Sequence, residues 1–328
     1  MKFILRRLAF YLVAAWVALT LNFFIPRAMP GNAVQAIMSK FPNLQPSAYR
    51  SLEALLGVGH PGSLWHQYWA YLDDVFHLNF GTDVIEYPAQ VSTLLVQTIP
   101  WTLTLVGTAT VIAFLVGTGL GIVAGWRHGG WLERGLPGLM FLQAMPYFFL
   151  ALILIELLAV RGHLFPIAQG YAGGLVPGWH WQFIGSAIYH SLLPALTIVL
   201  TSVAGWMLQM RNVMITTIGE DYVVAAQAKG LPSRRVVFTY AARNALLPQL
   251  QGFGLAIGFV VSGALVMEIV FSYPGIGLLL LSAVSSNDYP LMQAIFLVIT
   301  FAVLLANVIV DVIIVAIDPR ARAREGAR

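Results

Sequence analysis

The groups with which this 328-residue chain could do chemistry are few, and their spacing is poor for catalysis. Its seven histidines, His60, His66, His77, His128, His163, His180 and His190, are scattered. None forms a helical H-E-x-x-H pair or a tight ligand cluster, so a metal site is not expected. No cysteine is present, which removes disulfides, thiolate nucleophiles and Cys metal ligands together. The only lysines are Lys2, Lys40 and Lys229, and no G-x-x-x-x-G-K-[ST] string occurs. The chain therefore lacks the phosphate cradle that ATP hydrolysis needs. Three acids, Glu156, Glu268 and Asp311, fall in or beside apolar runs. Charges there invite a functional reading. Their positions near the ends of those runs favour interface or packing roles over substrate contact.

The elements that would position these groups are membrane helices. Hydrophobic residues make up 59% of the chain and charged residues only 10%, and the mean hydropathy is +0.78. A soluble domain is about a quarter charged. This composition excludes an ordinary soluble enzyme, a disordered tail and a nucleic-acid binder, and indicates a polytopic membrane protein. A spanning helix needs about 20 apolar residues. Stretches free of formal charge predict six: Leu8–Ile25, Ile99–Trp126, Gly135–Ile155, about Ala187–Met210, Asn244–Met267 and Tyr289–Val310. Phe165–Trp181, rich in Gly and Pro, reads as a loop. The first stretch, preceded by Lys2, Arg6 and Arg7, is long for a signal sequence and is followed by no A-x-A site, so a retained helix is expected.

Basic residues set the orientation. With the N-terminus inside and six crossings, 14 of the 18 Lys+Arg lie on the inner side. Only Arg27, Lys40, Arg50 and Arg161 lie outside. This is a positive-inside pattern with both termini cytoplasmic. The net charge of +4 then records orientation rather than an anionic ligand.

Two loops are too large to be connectors. The outer segment Met29–Thr98 contains Trp65, Tyr68, Trp69, Leu72 and Phe76 at helical spacing behind Ser63, a candidate N-cap. A short amphipathic helix on the membrane face or on the bundle is predicted. The inner loop Arg211–Arg243 contains a punctuated helix. Glu220 and Asp221 suit a helix start. Tyr222–Lys229 is rich in helix formers. Gly230 can take the left-handed position after the helix, and Pro232 stops continuation. Ser233 is expected to cap a following helix through Arg243, Asn244 and Pro248. Ala225, Ala226 and Ala228 form a small-residue face that permits close approach of another surface. Such a short helix is marginal alone. It must dock on a partner or on its own bundle.

The string Ala225-Ala226-x-x-x-Gly230 with Leu247-Pro248 resembles the EAA loop of ABC importer permeases. The fuller Glu220-Asp221-Tyr222 … Ala228-Lys229-Gly230-Leu231 … Arg243-Asn244-Ala245-Leu246-Leu247-Pro248 resembles its dipeptide/oligopeptide version. So do Val270-Phe271-Ser272-Tyr273-Pro274-Gly275-Ile276-Gly277, Asn287-Asp288-Tyr289-Pro290 and Asn307-x-x-x-Asp311 with Asp318-Pro319-Arg320. Gln67-Tyr68 and Leu78-Asn79-Phe80-Gly81-Thr82 resemble that family's outer segment. The likeness covers nearly the whole chain in order. Two departures stand out: Val224 occupies the Glu position of the general motif, and Asn79 stands where Asp is usual.

The resemblance implies an all-α polytopic membrane protein of the type I ABC importer permease fold. It would have six transmembrane helices and a large extracytoplasmic segment between the first two. It divides the chain into residues 1–98, a permease core over 99–318 with its coupling loop at 211–248, and a basic tail over 319–328. It implies a bacterial or archaeal cytoplasmic membrane. The implied role is a transport subunit, not an enzyme, that forms half of a pathway for di- or oligopeptides. The same machinery elsewhere imports oligosaccharides or nickel. The implied partners are a second homologous permease, two cytoplasmic ATPase subunits that carry ATP and Mg, an extracytoplasmic binding protein and membrane lipid. No cofactor is implied on this chain. The ATPase-coupling role falls by position on Glu220, Asp221, Tyr222, Ala225, Ala226, Ala228, Lys229 and Gly230, with Arg243, Asn244 and Pro248. An ion-coupled secondary transporter is the distant alternative. It would need carboxylates near the midplane and repeated broken helices.

Gly117, Gly121 and Gly125, joined by Gly119, have small-xxx-small spacing and predict close helix packing. Pro146 and Pro194 predict kinks in the third and fourth spans.

Overall fold

The computed structural model describes residues 2–30, 34–35, 63–84, 86, 88–127, 129–258, 260 and 265–317. Every regular element among them is helical, and one isolated bridge joins Thr82 to Gln90. The helices are α1 (Lys2–Arg27), α2 (Leu64–Phe76), α3 (Val91–Trp126), α4 (Trp131–Ala144) and α5 (Tyr147–Leu154, continued by the π-helical stretch Ile155–Arg161). They continue with α6 (Trp181–Ile218), α7 (Asp221–Ala228), α8 (Ala242–Gly258), α9 (Leu265–Val270), α10 (Ile276–Ser285) and α11 (Tyr289–Ile317). A helical turn, Ser233–Arg235, and a π-helical stretch, Val236–Ala241, lead into α8.

Among the described residues, four helices are long and apolar enough to cross a membrane: Ala9–Arg27 of α1, α3, α6 and Tyr289–Ile309 of α11. Counting α4 and α5 as one broken span makes five. The third expected span is thus not one straight helix. Its two halves meet at 100° at Pro146, which disfavours the helical region for the residue before it. Met145 is extended, with φ −74° and ψ 134°, and Pro146 follows with ψ 130°. Pro194, by contrast, stays inside α6. The fifth expected span appears as α8 and α9, with residues 259 and 261–264 between them outside the described residues. The expected fourth span grows by about a turn and a half at its start and two turns at its end. Residues 39–62, the Asp311 side chain and the tail from Asp318 also lie outside the described residues.

The chain groups into two compact units. One contains Met1–Trp101 and Pro274–Leu305. Within it, α2 is capped as expected, with Ser63 Oγ accepting from the His66 amide at 3.4 Å. Tyr68, Tyr71 and Leu72 bury against Leu19 and Phe23 of α1. Two polar contacts fix the register: Thr20 Oγ1 lies 2.8 Å from the Tyr68 hydroxyl, and Asn22 Nδ2 donates to the Tyr71 hydroxyl at 3.0 Å. Asn22 Nδ2 also donates to the Gln293 carbonyl of α11 at 2.8 Å.

The other unit contains Thr102–Tyr273. Here the glycine stripe of α3 meets α6. A Cβ at Gly117 would stand 2.6 Å from Trp206 Cβ, and one at Gly121 2.6 Å from the Met207 carbonyl oxygen and from Met210 Cβ. A Cβ at Gly125 would stand 2.5 Å from Met214 Cβ. These are impossible contacts, so the glycines exist to let the two backbones touch. Gly119 faces open space and takes no part.

Candidate functional site

The inner loop is short because α6 continues through Arg211 to Ile218. Thr216 and Thr217 close its last turn by donating to the Val213 carbonyl, at 2.9 and 2.7 Å. Only Gly219 and Glu220 separate α6 from α7. Glu220 sits at the cap position with extended backbone, and its carbonyl accepts from the Val223 amide at 2.9 Å. Its side chain makes no capping hydrogen bond, so its favourable effect, with that of Asp221, is the charge at a positive helix end.

The far end of α7 follows the predicted punctuation. Gly230 is left-handed at φ +72°. Its amide donates to the Gln227 carbonyl at 2.9 Å, and the Leu231 amide to the Ala226 carbonyl at 3.4 Å. This bond pair is the Schellman motif, and Leu231 adds the usual apolar contact by packing on the core beneath. Ser233 differs from expectation. It is the first helical residue, and Pro232 holds the cap position, its carbonyl accepting from Arg235 and Val236 at 2.8 and 3.1 Å.

The faces of α7 are sharply divided. Val223 and Ala226, three residues apart, are buried against Met210 and Met214 of α6 and against Val236, Val237, Ala241, Ala242 and Ala245. Glu220, Asp221, Tyr222, Ala225, Ala228, Lys229 and Gly230 are exposed. Ala226 therefore belongs to the chain's own core, whereas Ala225 and Ala228 are on the open face. Tyr222 and Val224 add exposed apolar surface, at 39% and 49%. Arg243 and Asn244 are exposed on the first turn of α8, where Asn244 Nδ2 donates to the Tyr240 carbonyl at 3.3 Å. Pro248 is half-buried within α8.

A partly buried ion pair beside this region was not legible in the sequence. Arg211 Nη2 of α6 donates to Glu133 Oε1 of α4, and Glu133 Oε2 also accepts from the Gly129 amide at 2.5 Å. From the sequence, Arg211 reads as the first residue of the inner loop. Inside a helix it becomes a strut between α4 and α6.

Of the three acids singled out above, Glu156 and Glu268 have different settings, and the Asp311 side chain lies outside the described residues. Glu156 is exposed and pairs with Arg161 at 2.8 Å. Glu268 of α9 is buried and accepts from Thr102 Oγ1 at 2.6 Å. A fourth acid, Asp288, is fully buried at the start of α11. Its Oδ1 accepts from the Leu291 amide at 2.9 Å, an N-cap bond, and its Oδ2 from the Val84 amide at 2.6 Å. Asp83, also buried, is hydrogen-bonded to it. Burial pushes the Asp288 carboxyl up to about 6; the two amides oppose this shift and the neighbouring Asp83 carboxyl adds to it.

Described residues whose regular elements are helical, with four or five apolar spans among them, make this a multi-pass membrane protein. The chain belongs to the family of binding-protein-dependent transport system inner membrane components, whose profile matches residues 117–323. It is 30% identical over 302 residues to the oligopeptide transport system permease protein AppB of Bacillus subtilis, covering 92% of each chain. It is 30% identical to the dipeptide transport system permease protein DppB of Escherichia coli K12, over 99% of this chain and 100% of that one. It is 28% identical to the dipeptide permease DppB of Lactococcus lactis, over 98% and 99% of the two chains.

Proposed function

We propose that this chain is the permease subunit of an ATP-driven ABC importer of di- or oligopeptides, and that α7 is the helix through which separate ATPases drive it. Family membership and the full-length likeness to dipeptide and oligopeptide permeases support the substrate class. One observation carries the coupling role. The helix α7 is closed at its C-terminal end by a Schellman motif and seated by Val223 and Ala226, yet leaves Tyr222, Val224, Ala225, Ala228 and Lys229 open. A rigid short helix with an exposed, partly apolar face transmits displacement from whatever grips it.

In this reading the chain crosses the membrane six times, with both termini cytoplasmic and residues 29–98 outside. Residues 99–318 are the permease core and 319–328 a basic inner anchor. A second homologous permease completes the pathway, two ATPases supply ATP and Mg chemistry, and an outer binding protein delivers the peptide.

The buried and open faces of α7 separate fold from coupling. Ala225→Arg alters only the open face. The assembled transporter should then keep its permease in the membrane but lose peptide-stimulated ATPase activity and uptake. Ala226→Leu forces extra methylenes into the core, which costs about 1–3 kcal/mol, and should lower permease stability itself. Unchanged uptake and unchanged ATPase binding with Ala225→Arg would refute the coupling role. Purification of the transporter should also yield two ATPase chains and a second permease.

A further inference from the structure

The helix α2 has three sectors rather than two. Tyr68, Tyr71 and Leu72 pack on α1. Trp65, Trp69 and Phe76, within about 40° of one another at 100° per residue, form an exposed edge at 71%, 65% and 79%. His66, Asp73 and Asp74, also exposed, occupy the adjoining arc, which begins about 40° beyond Trp69. Both tyrosine hydroxyls have partners on α1, Thr20 and Asn22, so the polar groups of the buried sector are satisfied inward. The outward rings are apolar bodies, and the two indoles, Trp65 and Trp69, carry N–H tips.

The level at which α2 sits is fixed by α1. Trp16, Thr20, Phe23 and Arg27 share one face of α1 at helical spacing. Thr20 and Phe23 meet α2, but Trp16, one turn earlier, is 58% exposed. The cover given by α2 is therefore confined to Leu19–Arg27, about 12 Å of helix at ~1.5 Å per residue. This is the C-terminal end of a segment able to cross the bilayer, where headgroups meet acyl chains. Leu21, Phe24 and Ile25 of α1 are exposed at the same level.

We propose that the Trp65–Trp69–Phe76 edge of α2 is a lipid-binding surface that lies in the interfacial zone of the outer leaflet and holds the outer segment to the membrane. The occupant is phospholipid gripped by aromatic rings rather than by charge, since α2 carries Asp73 and Asp74 and neither Lys nor Arg. Tryptophan at the headgroup level is well placed, its ring in the acyl boundary and its N–H among polar groups. The polar arc, with His66 and the aspartates, faces water, as an in-plane amphipathic helix requires. The proposal rests on α1 crossing the bilayer with its C-terminal end outside.

The absence of native cysteine makes the test direct. Single variants Trp65→Cys, Trp69→Cys, Phe76→Cys, His66→Cys and Asp73→Cys are spin-labelled in the full chain in phosphatidylcholine nanodiscs, with Trp16→Cys and Phe24→Cys as reporters on α1. Relaxation by oxygen, which partitions into lipid, is compared with relaxation by a water-soluble nickel chelate. The expected result is an oxygen-to-nickel ratio severalfold higher at 65, 69 and 76 than at 66 and 73. The depth at the first three should be shallower than at 16. Equal ratios on the two flanks overturn the proposal. Labels at 65 and 69 shielded from both reagents also overturn it, because protein rather than lipid would then cover the edge. Nickel-accessible labels at both 16 and 24 overturn it together with the spanning reading of α1. The three edge variants are separate, so one that fails to fold leaves two that decide.

Discussion

Neutralising Asp83 should weaken a pH dependence built into the 82–90 loop. Asp288 is buried, hydrogen-bonded by the Val84 and Leu291 amides and faced by the Asp83 carboxyl from the 82–90 loop. Its carboxyl titrates at about 6 in the folded chain instead of 3.8. The folded state thus binds more protons than the opened state between these two values. The latch between the loop and the start of α11 is fully stable below 3.8, and that stability is lost as pH rises through about 6. A change from 3.8 to about 6 corresponds to roughly 3 kcal/mol, or about a hundredfold in the opening equilibrium. Amide hydrogen exchange at Val84 and Leu291, corrected for intrinsic chemistry, measures that opening. Protection should fall by about two decades between pH 4 and pH 7 in the wild type. In Asp83→Asn the like charge is gone and an amide donor faces Asp288, so ionisation is no longer resisted from that side and the fall should shrink. Protection that is flat or rises with pH in the wild type would refute the reasoning, as would an equal slope in Asp83→Asn.

Two packing predictions follow from the glycines. Gly121→Ala places a Cβ 2.6 Å from a carbonyl oxygen and from Met210 Cβ, neither of which can swing away. It should cost about 1–3 kcal/mol in thermal or denaturant unfolding, whereas Gly119→Ala, facing open space, should be neutral or stabilising by up to about 1 kcal/mol. Gly230→Ala also meets no atom, so its penalty of about 1–2 kcal/mol is purely the left-handed backbone, visible as faster exchange in the last turn of α7 rather than as global unfolding.

Local rules were legible wherever a few consecutive residues decide the outcome. The start of α7, its Schellman end at Gly230, the Ser63 cap of α2 and the close approach at Gly117, Gly121 and Gly125 all follow from chemistry within one or two turns. Where two rules compete, the outcome depends on geometry. Pro194 and Pro146 both lie in apolar runs. Only Pro146 opens its helix, leaving Met145 extended at the 100° bend. Contacts between distant segments were not legible at all. Arg211 reads as a loop residue until α6 is seen to run past it, and nothing in Asp83 or Asp288 announces that they meet. The small-residue face of α7 was half legible. Composition identifies Ala225, Ala226 and Ala228 together, but only the packing of Val223 shows that Ala226 turns inward.

The same packing defines what a force on α7 would move. Val223 and Ala226 are seated on Met210 and Met214, which lie on α6 within two turns of its end. Those two methionines are also the atoms against which Gly121 and Gly125 of α3 close. Arg211, between them in sequence, is tied to Glu133 on α4. The final turns of α6 are therefore held by α3 on one side and α4 on another, with α7 attached after only two residues. Close-packed backbones without side chains between them shift as a unit rather than deform, since interiors are dense and interfaces bistable. A pull on the exposed face of α7 would act on α6, α3 and α4 together. Loosening either clamp, at Gly121 or at the Arg211–Glu133 pair, should let α7 move without carrying the spans behind it. Under the coupling role proposed for α7, loss of transport with ATPase binding retained would be the signature of a clamp defect, distinct from a docking defect in Ala225→Arg.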